Sequence, residues 1–171
     1  MYNIKKNVVW EGCDCMLKNE KLSNEEVVIV YKDDVIKLLR YVNWLEKMNG
    51  QDTSDIYKGE GIEETSMPVP VYDSTLLSFV REAKATVFMN RNYVYTFSQY
   101  RLKTIKDEYE FIEGSTLQDM KALGDILSKY VLKGEVKGVY WSEGVKSGVF
   151  LALLLKMKEL IEQFQGEKCE R

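Results

Sequence analysis

The chain has 171 residues, 45% of them hydrophobic, and a formal net charge of −3 from 24 basic and 27 acidic side chains. That length and apolar content can bury one core without disulfide or metal staples, and the near balance of charge excludes the overall signature of a protein built for a polyanionic surface. There is no histidine, which removes Ser-His and Cys-His nucleophile pairs and the commonest transition-metal ligand, so any chemistry here rests on carboxylates, Lys, Tyr or Cys.

The start, Met1-Tyr2-Asn3-Ile4-Lys5-Lys6, does not lead into the apolar core and cleavage site of a secretory signal. The longest apolar run, Val149 to Leu155, closes at Lys156 and Lys158, well short of the roughly 20 residues a membrane-spanning helix needs. Cys13, Cys15 and Cys169 are an odd number, which fits a reducing compartment better than a disulfide framework. These features predict a cytoplasmic protein, off the membrane. Cys13-Asp14-Cys15 offers two thiolates to a soft ion, but two ligands do not make a site, so free cysteines, no metal and no cofactor are expected.

In chain order, Asn7 to Trp10 and Val27 to Tyr31 are β-prone and predict a small ribbon within an N-terminal extended segment, residues 1–31. From Asp33 the period changes, and Val35, Leu38, Leu39, Val42, Leu45 and Met48 predict a helix over 34–48. Residues 49–72 read as a long loop closing in an extended segment around Pro68 and Pro70. Asp73 or Ser74 then caps a helix whose stripe is Leu76, Phe79, Val80, Ala83 and Val87. After a turn at Asn90-Arg91-Asn92, Tyr93, Tyr95 and Phe97 alternate with Val94 and Thr96, as a short strand or as an aromatic lead-in to the next helix.

A third helix is expected over about 98–113, and Ser115 to Gln118 reads as a capping box for a fourth, whose stripe runs from Leu117 to Val131. Gly134 and Gly138 break the chain before the most apolar stretch, Val139 to Leu155. That stretch predicts a last helix reaching about Phe164, with Ser142 as its cap, Glu143 in its first turn, and Gly144 and Gly148 on one face. The expected architecture is mainly α, a single compact domain of about five helices with a small N-terminal β element, its helical core over 33–165 and a tail over 166–171.

Pro68-Val69-Pro70-Val71-Tyr72-Asp73-Ser74, the cluster Tyr95, Phe97 and Tyr100, and Trp141-Ser142-Glu143-Gly144 followed by Gly148 resemble the pattern of a small family of bacterial domains of unknown function. The likeness covers about Val35 to Leu160. It departs where the family pattern carries Arg, Asp and Arg before the Glu-Gly pair, because Lys137, Val139 and Tyr140 stand there. The resemblance implies a mostly helical domain and brings no activity with it.

Three places invite a functional reading. Residues 81–106 carry Arg81, Lys84, Arg91, Arg101, Lys103 and Lys106 against the single acid Glu82, interleaved with Tyr93, Tyr95, Phe97 and Tyr100. Cations for phosphates beside rings for bases are what single-stranded nucleic acid requires. The plainer alternative makes the rings core and the cations a solvated face that pairs with Asp107, Glu108, Glu110 and Glu113. Glu60, Glu63 and Glu64, with Asp52 and Asp55, could form a carboxylate pair for acid-base work or hold a hard metal, although solvated loop acids are the commoner case. Glu143, between an aromatic and a glycine, needs a partner if buried. The leading expectation is a non-enzymatic interaction or accessory module acting through protein contacts. Nucleic-acid binding through 81–106 is the alternative, and a carboxylate-based enzyme the second.

Overall fold

Residues 22–57 and 69–169 are described in a computed structural model of the chain. Ser23 opens them with a capping box: its hydroxyl accepts from the Glu26 amide at 3.3 Å and the Glu26 carboxylate accepts from the Ser23 amide at 2.8 Å. The helix so nucleated, α1, spans Asn24–Leu39 and takes in Val27 to Tyr31, which sequence reading assigns to a strand. β-branched residues lose only a few tenths of a kcal/mol each in a helix. Here the cap, and the burial of Val27, Val28, Val35 and Leu38 along one face, outweigh that loss. The other expected strand, 7–10, lies outside the described residues.

The helix expected over 34–48 is two, because the chain turns at Arg40 and Tyr41 before α2, Val42–Met48. The turn drives Tyr41 inward, where its ring meets Phe79 edge-on at 5.4 Å. The extended segment around Pro70 gains a partner: β1, Ser54–Tyr57, pairs antiparallel with β2, Val69–Tyr72, with Ser54 opposite Tyr72. The β element of the described residues is therefore this hairpin, not an N-terminal ribbon.

Asp73 caps α3, Ser74–Lys84, by accepting from the amides of Thr75 at 2.6 Å and Leu76 at 3.3 Å. The expected stripe is buried except for Val87, which lies beyond the end of the helix and is exposed. The Tyr93 region is helical: α4 spans Tyr93–Gln99. A turn then separates it from α5, Ile105–Gly114, so the helix expected over 98–113 starts later, where Thr104 and Asp107 form a capping box. The next capping box is also one residue later than expected, with Asp119 accepting from the Thr116 amide at 2.9 Å and hydroxyl at 2.7 Å. Ser115 instead donates to the Phe111 carbonyl, and Gln118 reaches across to Leu22 and Asn24.

One 3-10 turn, Leu117–Asp119, leads into α6, Met120–Val136. Gly134 sits inside α6 and does not end it, since a Cβ there would meet the Trp141 ring at 2.0 Å. The most apolar stretch is also divided, into α7, Val139–Lys146, and α8, Val149–Cys169. Gly148 makes the division with φ +76°, a left-handed conformation that only glycine adopts freely. The Tyr109 hydroxyl secures the joint by donating to the Ser147 carbonyl at 2.6 Å. Gly144 and Gly148 therefore do not share a helix face.

The result is mainly α, with more and shorter helices than the expected five because two apolar runs are cut and the Tyr93 segment coils. Their apolar faces converge on α8, which packs against α1, α2, α5, α6 and α7. Phe150 of α8 lies fully buried between Phe79 at 4.9 Å and Tyr130 at 5.6 Å. Among the described residues no helix is long and apolar enough to cross a membrane.

Candidate ligand-binding cleft

α6 is buried along most of its length, yet it carries Lys129 and Lys133 one turn apart. Residues four apart share a helix face, and this face looks towards α4 and α7. α4 is fixed on α6 by a polar cluster at its start. Asp125, 1% exposed, accepts from Asn90 Nδ2 at 2.8 Å and from the Thr96 hydroxyl. Ser128 accepts from the Asn90 amide at 3.0 Å, and its own hydroxyl lies 2.8 Å from the Phe88 carbonyl. With α4 so seated, Tyr93 and Phe97, one turn apart, stand edge to face at 6.1 Å on its inner side.

The floor comes from α5 and α6 together. Glu108, 1% exposed, accepts from the Tyr130 hydroxyl at 2.8 Å and from the Lys129 ammonium. The ammonium also lies over the rings of Phe97 at 5.1 Å and Tyr130 at 4.5 Å, so it is held by a carboxylate and two ring faces at once. Burial first, and the Glu108 carboxylate next, push the Tyr130 hydroxyl far above its usual range, which keeps it a donor. Beyond the floor, α7 contributes Tyr140, whose ring receives the Lys133 ammonium at 5.3 Å, and Glu143.

These side chains enclose a cavity of about 330 Å³ lined by Tyr93, Val94, Phe97, Leu102, Lys103, Lys129, Lys133, Tyr140 and Glu143. Glu143 is shared with a second cavity of about 530 Å³, lined otherwise by Asp52, Ile105, Val139, Ser142, Lys146 and Ser147. Arg101 has φ +56°, an uncommon conformation for a residue with a Cβ. The turn it makes buries Leu102 and brings Lys103 to the cavity.

Four of the residues singled out from sequence therefore meet in one cavity: Tyr93, Phe97, Lys103 and Glu143. The other four do not line it. Tyr95 is 76% exposed, Tyr100 packs on Phe111 with ring centres 4.6 Å apart, and Arg91 and Arg101 are exposed at the surface. The plainer reading of the stretch holds in part, since all six of its cations lie on the exposed face and Phe97 packs against the core. None of its rings is fully buried, Tyr95 and Tyr100 are exposed, and the one ion pair it makes with the acids named for it is Lys106 with Glu110 at 3.5 Å, among the described residues. Asp107 is spent on its cap and Glu108 on Lys129.

Glu143 is not in the first turn of a long helix. It is the fifth residue of α7, and Ser142 is not a cap but a buried hydroxyl that accepts from Thr53 Oγ1 at 3.1 Å. Of the loop acids, Asp52 pairs with Lys146 at 2.9 Å, Asp55 falls in β1, and Glu60, Glu63 and Glu64 lie outside the described residues, as do Cys13 and Cys15. Sequence reading misses Lys129, Lys133 and Tyr140. The available signal is the pair of lysines four apart, Lys129 and Lys133, on the helical face that continues from the buried Ala122 and Ile126. Trp141, quoted in the family-like motif, donates to the Val131 carbonyl at 2.9 Å and serves packing.

Comparison with known protein families, curated proteins and solved structures finds no match.

Proposed function

We propose that the protein is a non-enzymatic binding module whose cleft between α4, α6 and α7 takes single-stranded nucleic acid. The supporting observation is the meeting of Lys103 and Lys133 with the rings of Tyr93, Phe97 and Tyr140 around one cavity. Ring faces stack on bases, and ammonium groups neutralise phosphates. A cavity of about 330 Å³ is at the small end of ligand sites and admits one ring system, so the rest of a strand lies outside it. Arg91 and Arg101, each two residues along the chain from the lining residues Tyr93 and Lys103, are exposed and without an ion pair among the described residues. The net charge of −3 makes the attraction local, and binding should fall with salt at a slope of about −2 to −3 on logarithmic axes. Fluorescence anisotropy of a labelled single-stranded RNA 12-mer tests the reading. Salt-dependent binding lost in Arg101→Glu/Lys133→Glu, with the fold retained by circular dichroism, supports it; no binding at low salt overturns it.

A second reading, contact with another protein, draws on α1, where Ile29 is 77% and Ile36 54% exposed, seven residues apart on one outer face. Its simplest occupant is a second copy of the chain. Sedimentation of the wild type against Ile29→Lys decides that case, and identical monomeric profiles would sink it.

A further inference from the structure

We infer that Glu143 determines specificity in this cleft, and that it selects guanine by accepting from the two adjacent N–H groups on that base's edge. The inference rests on the binding function proposed above and adds which base the cavity prefers. Asp125, Glu108 and Glu143 carry buried or half-buried carboxylates near α4 and α6. Those of Asp125 and Glu108 are occupied by protein donors. The carboxylate of Glu143, half-buried, has neither a hydrogen bond nor an ion pair among the described residues. It is also the sole acid on a wall that otherwise presents Lys103, Lys129 and Lys133, and none of these comes within ion-pair distance of it. A carboxylate in that position retains its full accepting capacity, and a ligand must supply the donors.

The chemistry of the bases then discriminates. An ionised carboxylate only accepts, with two oxygens side by side. Guanine alone offers two neighbouring donors, N1–H and the N2 amine, spaced to meet both oxygens at once, a paired and charge-assisted arrangement. Adenine and cytosine each place an amine beside an acceptor nitrogen, which repels the second oxygen. Uracil sets its one N–H between two carbonyls. Tyr140 lies one turn before Glu143 on α7, so a stacking ring and the acceptor share a helix face, while Lys103 and Lys133 remain for phosphate. Paired contacts of this kind discriminate by about tenfold to a hundredfold.

The source of the guanine, a strand or a free nucleotide, is separated by the experiment. Titration calorimetry of the full chain with GMP, IMP, AMP and UMP is run beside anisotropy of an oligo-U 12-mer with and without one central G. The expected result is a preference of about tenfold or more for G over U, with IMP, which lacks the N2 amine, falling between. Glu143→Gln, nearly isosteric, should erase the preference, so that the oligonucleotides with and without G bind the variant equally. Equal affinities for all bases, or a G preference unchanged in Glu143→Gln, overturn the inference and leave the binding function standing. Oligonucleotides that fail to bind while GMP binds through Glu143 uphold the inference and overturn the strand as occupant. Failure of both probes at low salt overturns both.

Discussion

Asp125 and Ser128 occupy the first half of α6, and Lys129 and Lys133 the second; both pairs look towards α4 or its approach. In the first pair every polar atom meets a protein partner, Asn90 and Thr96 on one residue and the Asn90 amide and Phe88 carbonyl on the other. In the second, Lys129 is tied down by Glu108 while Lys133 touches only a ring face beside an open cavity. One helix thus holds a closed polar site and an open one about a turn apart. A buried polar group whose partners are all internal fixes packing, whereas one with capacity left over at a cavity wall is available to a ligand.

Removing the tie that bounds the open site should have the largest effect. Glu108→Ala leaves the Tyr130 hydroxyl and the Lys129 ammonium without their acceptor and should cost about 3 kcal/mol by urea unfolding. Glu108→Met together with Lys129→Met should cost clearly less, since no charge is stranded; equal losses would show that the pair is not the unit it looks to be. Next comes the closed site, where Asp125→Ala orphans the donors of Asn90 and Thr96 at about 2 kcal/mol. That change should also weaken RNA binding by loosening α4, although Asp125 does not line the cavity. If stability falls and binding does not, the two halves of α6 act independently. Smallest in stability is Lys133→Ala, expected within about 0.5 kcal/mol of wild type while oligonucleotide affinity drops several-fold. An unfolding midpoint shifted as far as that of Asp125→Ala would make Lys133 structural.

Much of the fold is readable where a local signal and a tertiary need agree. Asp73 caps α3, and Leu76, Phe79, Val80 and Ala83 are its core face, as the spacing predicts. Misreadings fall where they compete. Val27 to Tyr31 has strand-like composition, but the capping box of Ser23 and Glu26 immediately before the run and burial along one helical stripe decide for a helix. The breaks at Tyr41 and Gly148 interrupt apolar runs with unbroken helical spacing, because the reason for each break is a ring or a hydroxyl from a distant segment, Phe79 in one case and Tyr109 in the other. The cleft was half legible for the same reason. Tyr93, Phe97 and Lys103 are neighbours in sequence and announce themselves, whereas Lys129, Lys133 and Tyr140 join them only through the crossing of α6 and α7 over α4 and α5.

The central position of α8 has a consequence for how the molecule is made. Chains are synthesised from the N-terminus, and five other helices bury their apolar faces on an element that begins at Val149. Until that element emerges, the stripe of α1 and the rings of Phe79 and Tyr130 lack their main cover, so the earlier helices wait on the ribosome as a collapsed but unfinished assembly. Completion is then a late, chain-wide event despite the helical content, with contacts between distant segments setting its pace.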